Sequence, residues 1–105
     1  MPEEYTLRPV GDIDIATVPE LRTAWLAAID EHQPMRLTID LSEVTFIDSM
    51  GLGLIVSTHR RQMERGGVVI LTNPSPMTSK LLALTAIDQV VDVTRRQPWT
   101  RDFGR

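Results

Sequence analysis

The apolar positions of this chain follow two different periods, and Gly and Pro mark where one gives way to the other. Tyr5 to Val10 alternates loosely, as a strand with unlike faces does, and beyond Gly11 the pair Ile13 and Ile15 keeps a period of two. A turn at Gly11 would fold these two short strands into a hairpin. The period then lengthens. Val18, Leu21, Trp25, Ala28 and Ile29 fall on one stripe of a helix that starts at Thr17 and stops by Pro34. Its opening, Thr17-Val18-Pro19-Glu20, has the spacing of a capping box, with proline in the first turn, where its missing N–H is harmless.

Leu37, Ile39 and Leu41 alternate with Thr38 and Asp40 as a further strand. Val44 to Ile47 leads into Asp48-Ser49-Met50-Gly51-Leu52-Gly53, after which Leu52, Ile55, Val56, His59 and Met63 recur at helical spacing until Gly66-Gly67 closes the helix. The apolar run Val68 to Leu71 has the pattern of a strand covered on both faces. Asn73-Pro74-Ser75-Pro76 turns into a third helix, with Ser75 as N-cap, Pro76 as first helical residue and Met77, Leu81 and Leu84 as buried stripe. Val90, Val91 and Val93 make a last short strand. The order β-β-α-β-α-β-α-β predicts an α/β sandwich whose central strands are joined by right-handed crossover helices.

Length and composition narrow the class. At 105 residues, 42% hydrophobic and 24% charged, the chain is a single globular domain spanning residues 1–105. No apolar run reaches the roughly 20 residues that a bilayer span needs, and the acidic N-terminus is unlike a secretory signal. The absence of cysteine excludes disulfides and thiolate metal sites, and a cytoplasmic location is the reading these features favour. Four arginines in residues 94–105 leave the body of the chain acidic within a net charge of −3, which argues against direct nucleic-acid binding. That tail is either a solvated terminus or a contact for an acidic surface.

The candidate chemistry is sparse. Gly51-x-Gly53 lacks the third small residue of a dinucleotide fingerprint, and the single lysine, Lys80, is far from any Walker loop. Ser49 as a nucleophile has no base within reach: His59 lies about 15 Å farther along the same helix, and His32 has no orienting partner. Asp12-Ile13-Asp14-Ile15-Ala16 departs from an aspartyl phosphotransferase loop at Ala16, and Asp40 lacks the companions of a phospho-accepting receiver site. Two isolated histidines make no metal centre, and no cofactor is implied. What is left is a serine where a strand gives way to a helix. A phosphate on Ser49 would meet free N–H groups and the positive end of the helix dipole, while Gly51 and Gly53 leave the backbone open to a partner. Equally, Asp48 or Ser49 simply caps the helix.

These residues resemble a family. Gly11-Asp12-Ile13-Asp14 with Thr17-Val18-Pro19-Glu20-Leu21, the run from Asp40 through Gly53, and Asn73-Pro74-Ser75-Pro76 are together similar to the STAS domain of bacterial anti-sigma factor antagonists, over about residues 5–93. The resemblance implies a mixed sheet of four or five strands with helices mainly on one face, and no catalysis by the domain. It implies that Ser49 is phosphorylated by an anti-sigma factor of the ATP-binding serine kinase type. The unphosphorylated form would bind that anti-sigma factor and free a sigma factor, and a serine phosphatase would reset the phosphorylated form. Asp14 and Asp48 match acids near the serine, and with Thr17, Met50, Gly51 and Leu52 they would make the partner surface, joined by Asn73, Pro74 and Ser75. Met50 replaces a second serine found in many members, and the short tail with Trp99 and Phe103 stands where the family places a final helix. The alternative within the same fold is a non-switching accessory or scaffold subunit of a transport or stressosome complex.

Overall fold

The computed structural model describes residues 3–94, so the arginine-bearing tail lies outside the described residues. Strands β1 (Glu4–Leu7) and β2 (Gly11–Ile13) precede helix α1 (Val18–His32). Strands β3 (Arg36–Asp40) and β4 (Val44–Ile47) follow, then α2 (Ser49–Glu64), β5 (Val68–Thr72), α3 (Pro76–Leu84), a 3-10 turn at Ile87–Gln89, and β6 (Asp92–Thr94).

The expected N-terminal hairpin does not form. Strand β1 runs parallel to β3, with Tyr5 opposite Leu37 and Leu7 opposite Ile39, whereas β2 runs parallel to β4. Arg8-Pro9-Val10 separates them: Pro9 has no N–H to give to a ladder, and Gly11, at φ 92°, takes a conformation that L side chains avoid. The Gly11 N–H then donates to the Glu43 carbonyl, which starts the β2–β4 pairing. Two parallel sheets result, one of four strands in the order β1-β3-β5-β6 and one of two, β2-β4. The described ladders are all parallel, so the antiparallel component of the expected mixed sheet goes with the hairpin. The segment Val44–Ile47, expected only as a lead into the helix, is itself a strand.

The register lines up Leu37, Ile39, Val69 and Leu71 on one face of the larger sheet, where they meet Trp25 and Ile29 of α1, Leu54 and Ile55 of α2 and Leu82 of α3 in a single core. Burial of such side chains contributes about 1.5–3 kcal/mol each. Among the described residues, no element covers the other face. Thr6, Thr38 and Thr72 stand on it beside Val68, which is 46% exposed, so the four-residue apolar run is buried on alternate residues only. A parallel sheet open on one side is uncommon, and the period-two alternation of β3 is its sequence counterpart.

Two of the three helices bury a different stripe from the one that hydropathy picks out. In α1 the expected residues Val18, Trp25, Ala28 and Ile29 are buried and Leu21 is half-buried. In α2 the inward residues are Gly51, Leu52, Leu54, Ile55, Thr58 and Gln62, while Met63 is 60% exposed. The helix is turned because two polar side chains are satisfied inside. The Thr58 hydroxyl donates to the Leu54 carbonyl at 2.7 Å, and the Gln62 amide donates to the carbonyls of Pro34 and Val68. In α3 the buried residues are Thr78 and Leu82, with Met77 and Leu84 exposed. Its start is as expected: the Ser75 hydroxyl accepts from the Thr78 N–H, and Pro76 is the first helical residue.

The end of α1 also departs from expectation at its start. Thr17 makes no side-chain cap of the helix, so the capping box is not formed. Its hydroxyl instead donates to the Asp12 carbonyl at 2.8 Å and accepts from the Asp14 N–H at 2.9 Å, closing the turn that leads into the helix.

At the carboxyl ends of β3 and β5, Asp40 ties three segments together. Its carboxylate accepts from the Arg8 Nε at 2.9 Å, the Ser42 N–H at 3.0 Å and the Asn73 amide at 3.3 Å. Desolvation works against the charged form, but the hydrogen bonds from Ser42, Arg8 and Asn73 together outweigh it and hold the pKa near 2, below the ordinary 3.8. A carboxyl with a lowered folded-state pKa stabilises the fold fully above its unfolded value, and that contribution is lost as pH falls through the folded one. Wild type and Asp40→Asn should therefore differ in urea midpoint at neutral pH and converge as the pH falls from 3.8 to about 2. An unchanged difference across that window would show that Asp40 is not the linked group.

Candidate functional site

The strand-to-helix junction at Asp48 is built around one carboxylate. Asp48 is the N-cap of α2: its Oδ1 accepts from the N–H groups of Met50 at 2.9 Å and Gly51 at 3.1 Å. Its Oδ2 accepts from the Ile15 N–H at 3.3 Å, across from the loop that follows β2. A short acidic side chain suits this place because the first N–H groups of a helix lack intrahelical acceptors. Ser49 is thereby released from capping. It is the first residue of α2, exposed, and its hydroxyl makes no hydrogen bond among the described residues. Of the N–H groups expected to greet a phosphate, those of Met50 and Gly51 are already occupied by Asp48.

The neighbouring loop is organised by Asp14. Its Oδ1 accepts from the N–H groups of Ala16 at 3.0 Å and Thr17 at 3.1 Å. Asp14 is half-buried and in the turn, not a freely solvated acid of an edge strand. Asp12 is exposed on β2 and accepts from the Thr45 hydroxyl at 2.6 Å. The Ile15–Asp48 bond holds this acidic loop against the start of α2, so Asp14, Thr17, Asp48 and Ser49 belong to one rim.

Around that rim the expected partner residues divide by burial. Met50 is 45% exposed, whereas Gly51 and Leu52 face inward. A Cβ on Gly51 would lie 2.4 Å from the Ile13 carbonyl oxygen and 2.7 Å from Ile47 Cγ1, so this glycine exists to let α2 approach β2 and is not open to a partner. Gly53 is different: it is exposed, and a Cβ there would meet nothing within 4 Å. Residues that pattern alone did not single out are Ile15, 69% exposed, and Phe46, 47% exposed. The signal was present for Phe46, because inward Ile47 on a period-two strand turns its neighbour outward.

The Asn73-Pro74-Ser75 turn is placed elsewhere. Asn73, at φ 56°, donates its N–H to the Thr94 carbonyl and its amide to Asp40, at the carboxyl end of the larger sheet. Pro74 is buried and Ser75 caps α3. A hydrogen bond thus ties Asn73 to the Asp40 cluster. On α2, His59 is half-buried with its Nδ1 buried and unpaired, and Trp25 is a core residue, 2% exposed. Among the described residues no group of His, Cys, Asp and Glu is arranged to hold a metal ion, and no helix is long and apolar enough to cross a membrane.

This arrangement of parallel strands, with helices on one face of the larger sheet, is that of the STAS domain family. The family model for the STAS domain matches residues 2–98, and the chain belongs to that family. Among its relatives is the anti-sigma-B factor antagonist of Bacillus subtilis, 28% identical over 86 residues, a match covering 82% of this chain and 77% of the relative. The anti-sigma F factor antagonist of Lysinibacillus sphaericus is 29% identical over 103 residues, covering 97% of this chain and 88% of the relative. A solved structure of the anti-sigma factor antagonist SpoIIAA in its unphosphorylated form superposes with a TM-score of 0.65 at 27% identity, covering 86% of this chain and 91% of that one.

The two residues that position the serine should be costly to change. Gly51→Ala forces a methyl group against a backbone carbonyl and should lose about 1–3 kcal/mol. Asp48→Ala removes the cap and should lose about 0.5–2 kcal/mol. Chemical denaturation of both variants measures this, and a Gly51→Ala domain as stable as wild type would refute the close approach of α2 to Ile13.

Proposed function

We propose that this protein is an anti-sigma factor antagonist whose binding is switched at Ser49. The observation that carries the reading is the division of labour at the head of α2. Asp48 does the capping, which leaves an exposed serine hydroxyl with no structural duty beside exposed Met50. The family membership and the named relatives support it. In its unphosphorylated form the domain binds an anti-sigma factor of the serine kinase type in the cytoplasm and so frees a sigma factor. Transfer of a phosphoryl group to Ser49 ends the complex, and a serine phosphatase restores it. The domain itself contributes a surface and an acceptor hydroxyl and performs no catalysis.

The partner surface on this reading is the rim: Ser49 and Met50 from α2, Asp14 and Thr17 from the preceding loop, with Ile15 and Phe46 as added apolar contacts. Gly51, Leu52 and Asp48 act by holding that rim in shape. Phosphorylation adds about −1.5 to −2 charges next to the Asp48 carboxylate. The helix dipole favours the new charge, but the N–H groups of Met50 and Gly51 are already engaged by Asp48, so the phosphate stays on the surface and the fold is kept. In the complex the same dianion would be desolvated without a counterion, at a cost of about 2–5 kcal/mol. That corresponds to roughly a thirtyfold to several-thousandfold loss of affinity.

Ser49→Ala should therefore fold as wild type does, bind the anti-sigma factor, and take no phosphate when incubated with that kinase and ATP. Phosphorylated wild type should keep its circular dichroism spectrum and melting curve while calorimetry shows the much weaker complex. Phosphate found on another residue by mass spectrometry, with Ser49 unmodified, would overturn the assignment. Asp14→Ala should weaken binding and also lower stability by about 0.5–2 kcal/mol, because this carboxylate caps the turn before α1.

A further inference from the structure

Among the described residues, nothing requires position 53 to be glycine. It lies inside α2, where glycine is less stable than alanine because it has more backbone freedom to lose. Its φ is not in the left-handed region, and a Cβ would meet nothing within 4 Å, so neither backbone strain nor internal packing requires a missing side chain. Gly51, two residues earlier, shows what an internal requirement looks like, with contacts at 2.4 and 2.7 Å. Gly53 sits one helical turn beyond Ser49 and at the middle of the arc of α2 that faces away from the core. From Ser49 to Thr58 the helix carries no charge, and the first charged side chain is Arg60, so the face around Gly53 has the charge depletion of an interface core.

We propose that Gly53 is a specificity-determining residue of the antagonist surface: a notch in the exposed face of α2 into which an apolar, close-packed segment of the anti-sigma factor fits. This rests on the anti-sigma factor being the partner. The surface is continuous with the rim, since Ser49 and Gly53 are neighbours on the same face of one helix. The backbone of α2 can be approached there more closely than anywhere a side chain projects. A methyl group would fill the notch and push the partner away from Ser49, so the glycine trades stability of the free domain for fit in the complex.

The test is Gly53→Ala, with Thr23→Ala on the exposed side of α1 as a second helix-stabilising variant that is not one of the rim residues. The probes are the purified serine-kinase anti-sigma factors of the source organism, titrated calorimetrically against unphosphorylated protein. Gly53→Ala should melt about 2–8 °C above wild type. It should bind about ten- to hundredfold more weakly, and be phosphorylated more slowly at Ser49, while Thr23→Ala binds as wild type does. Equal affinity of Gly53→Ala and wild type for the same anti-sigma factor would overturn the notch and leave the function intact. An equal loss in Thr23→Ala would also overturn it, by assigning the effect to helix stability. If no such anti-sigma factor binds wild type, the functional reading fails and the notch fails with it.

Discussion

The Asp48 carboxylate ties together two pieces of chain, the N-terminus of α2, through Met50 and Gly51, and the loop after β2, through Ile15. Its worth is geometric as much as energetic. A single cap contributes on the order of 1 kcal/mol, yet this one fixes where the first turn of α2 sits relative to the acidic turn of Asp14 and Thr17. The close contact of Gly51 with the Ile13 carbonyl completes the constraint from the other side, since only a residue without Cβ can lie that near to β2. Ser49 is then held by its neighbours on both sides and holds nothing itself.

On the proposed reading, that separation is what lets a covalent switch work in a chain of only 105 residues. A small fold has little stability to spare, so a modification site that also carried a structural hydrogen bond would risk the fold each time it was used. Here the structural work at the head of α2 falls to Asp48 and Gly51, and the proposed phosphate acceptor is an exposed hydroxyl. On that reading, binding and folding fall to different residues a single position apart.

The two parallel sheets serve the same end. The larger one, backed by the helices on one face, supplies most of the core through Leu37, Ile39, Val69 and Leu71. The smaller one, β2-β4, is short and delivers the Asp14 loop and the Asp48 junction to the same place, because parallel strands bring their carboxyl ends together. The register pairs Ile13 with Ile47, so the residues that follow each strand, Asp14 and Asp48, emerge side by side.

The sequence by itself determined the kinds of element and much of where they start and stop. Pro34, Gly66-Gly67 and Ser75-Pro76 act through local backbone geometry, and local signals survive in any fold. The alternation of Leu37 and Ile39 with Thr38 and Asp40 likewise matched the one-sided sheet, and the run from Asp40 to Gly53 marked the junction where the site lies. Tertiary structure decided what depends on partners distant along the chain. The strands beside Gly11 pair with β3 and β4 and not with each other, because Pro9 between them has no N–H for a hairpin ladder and the Gly11 N–H goes to the Glu43 carbonyl. Helices α2 and α3 turned away from their most hydropathic stripes because Thr58, Gln62 and Thr78 could be satisfied inside, a matter of specific acceptors such as the Pro34 carbonyl that no hydropathy pattern contains. The difference between Gly51 and Gly53, identical as letters and opposite in role, was settled only by what stands next to each in space.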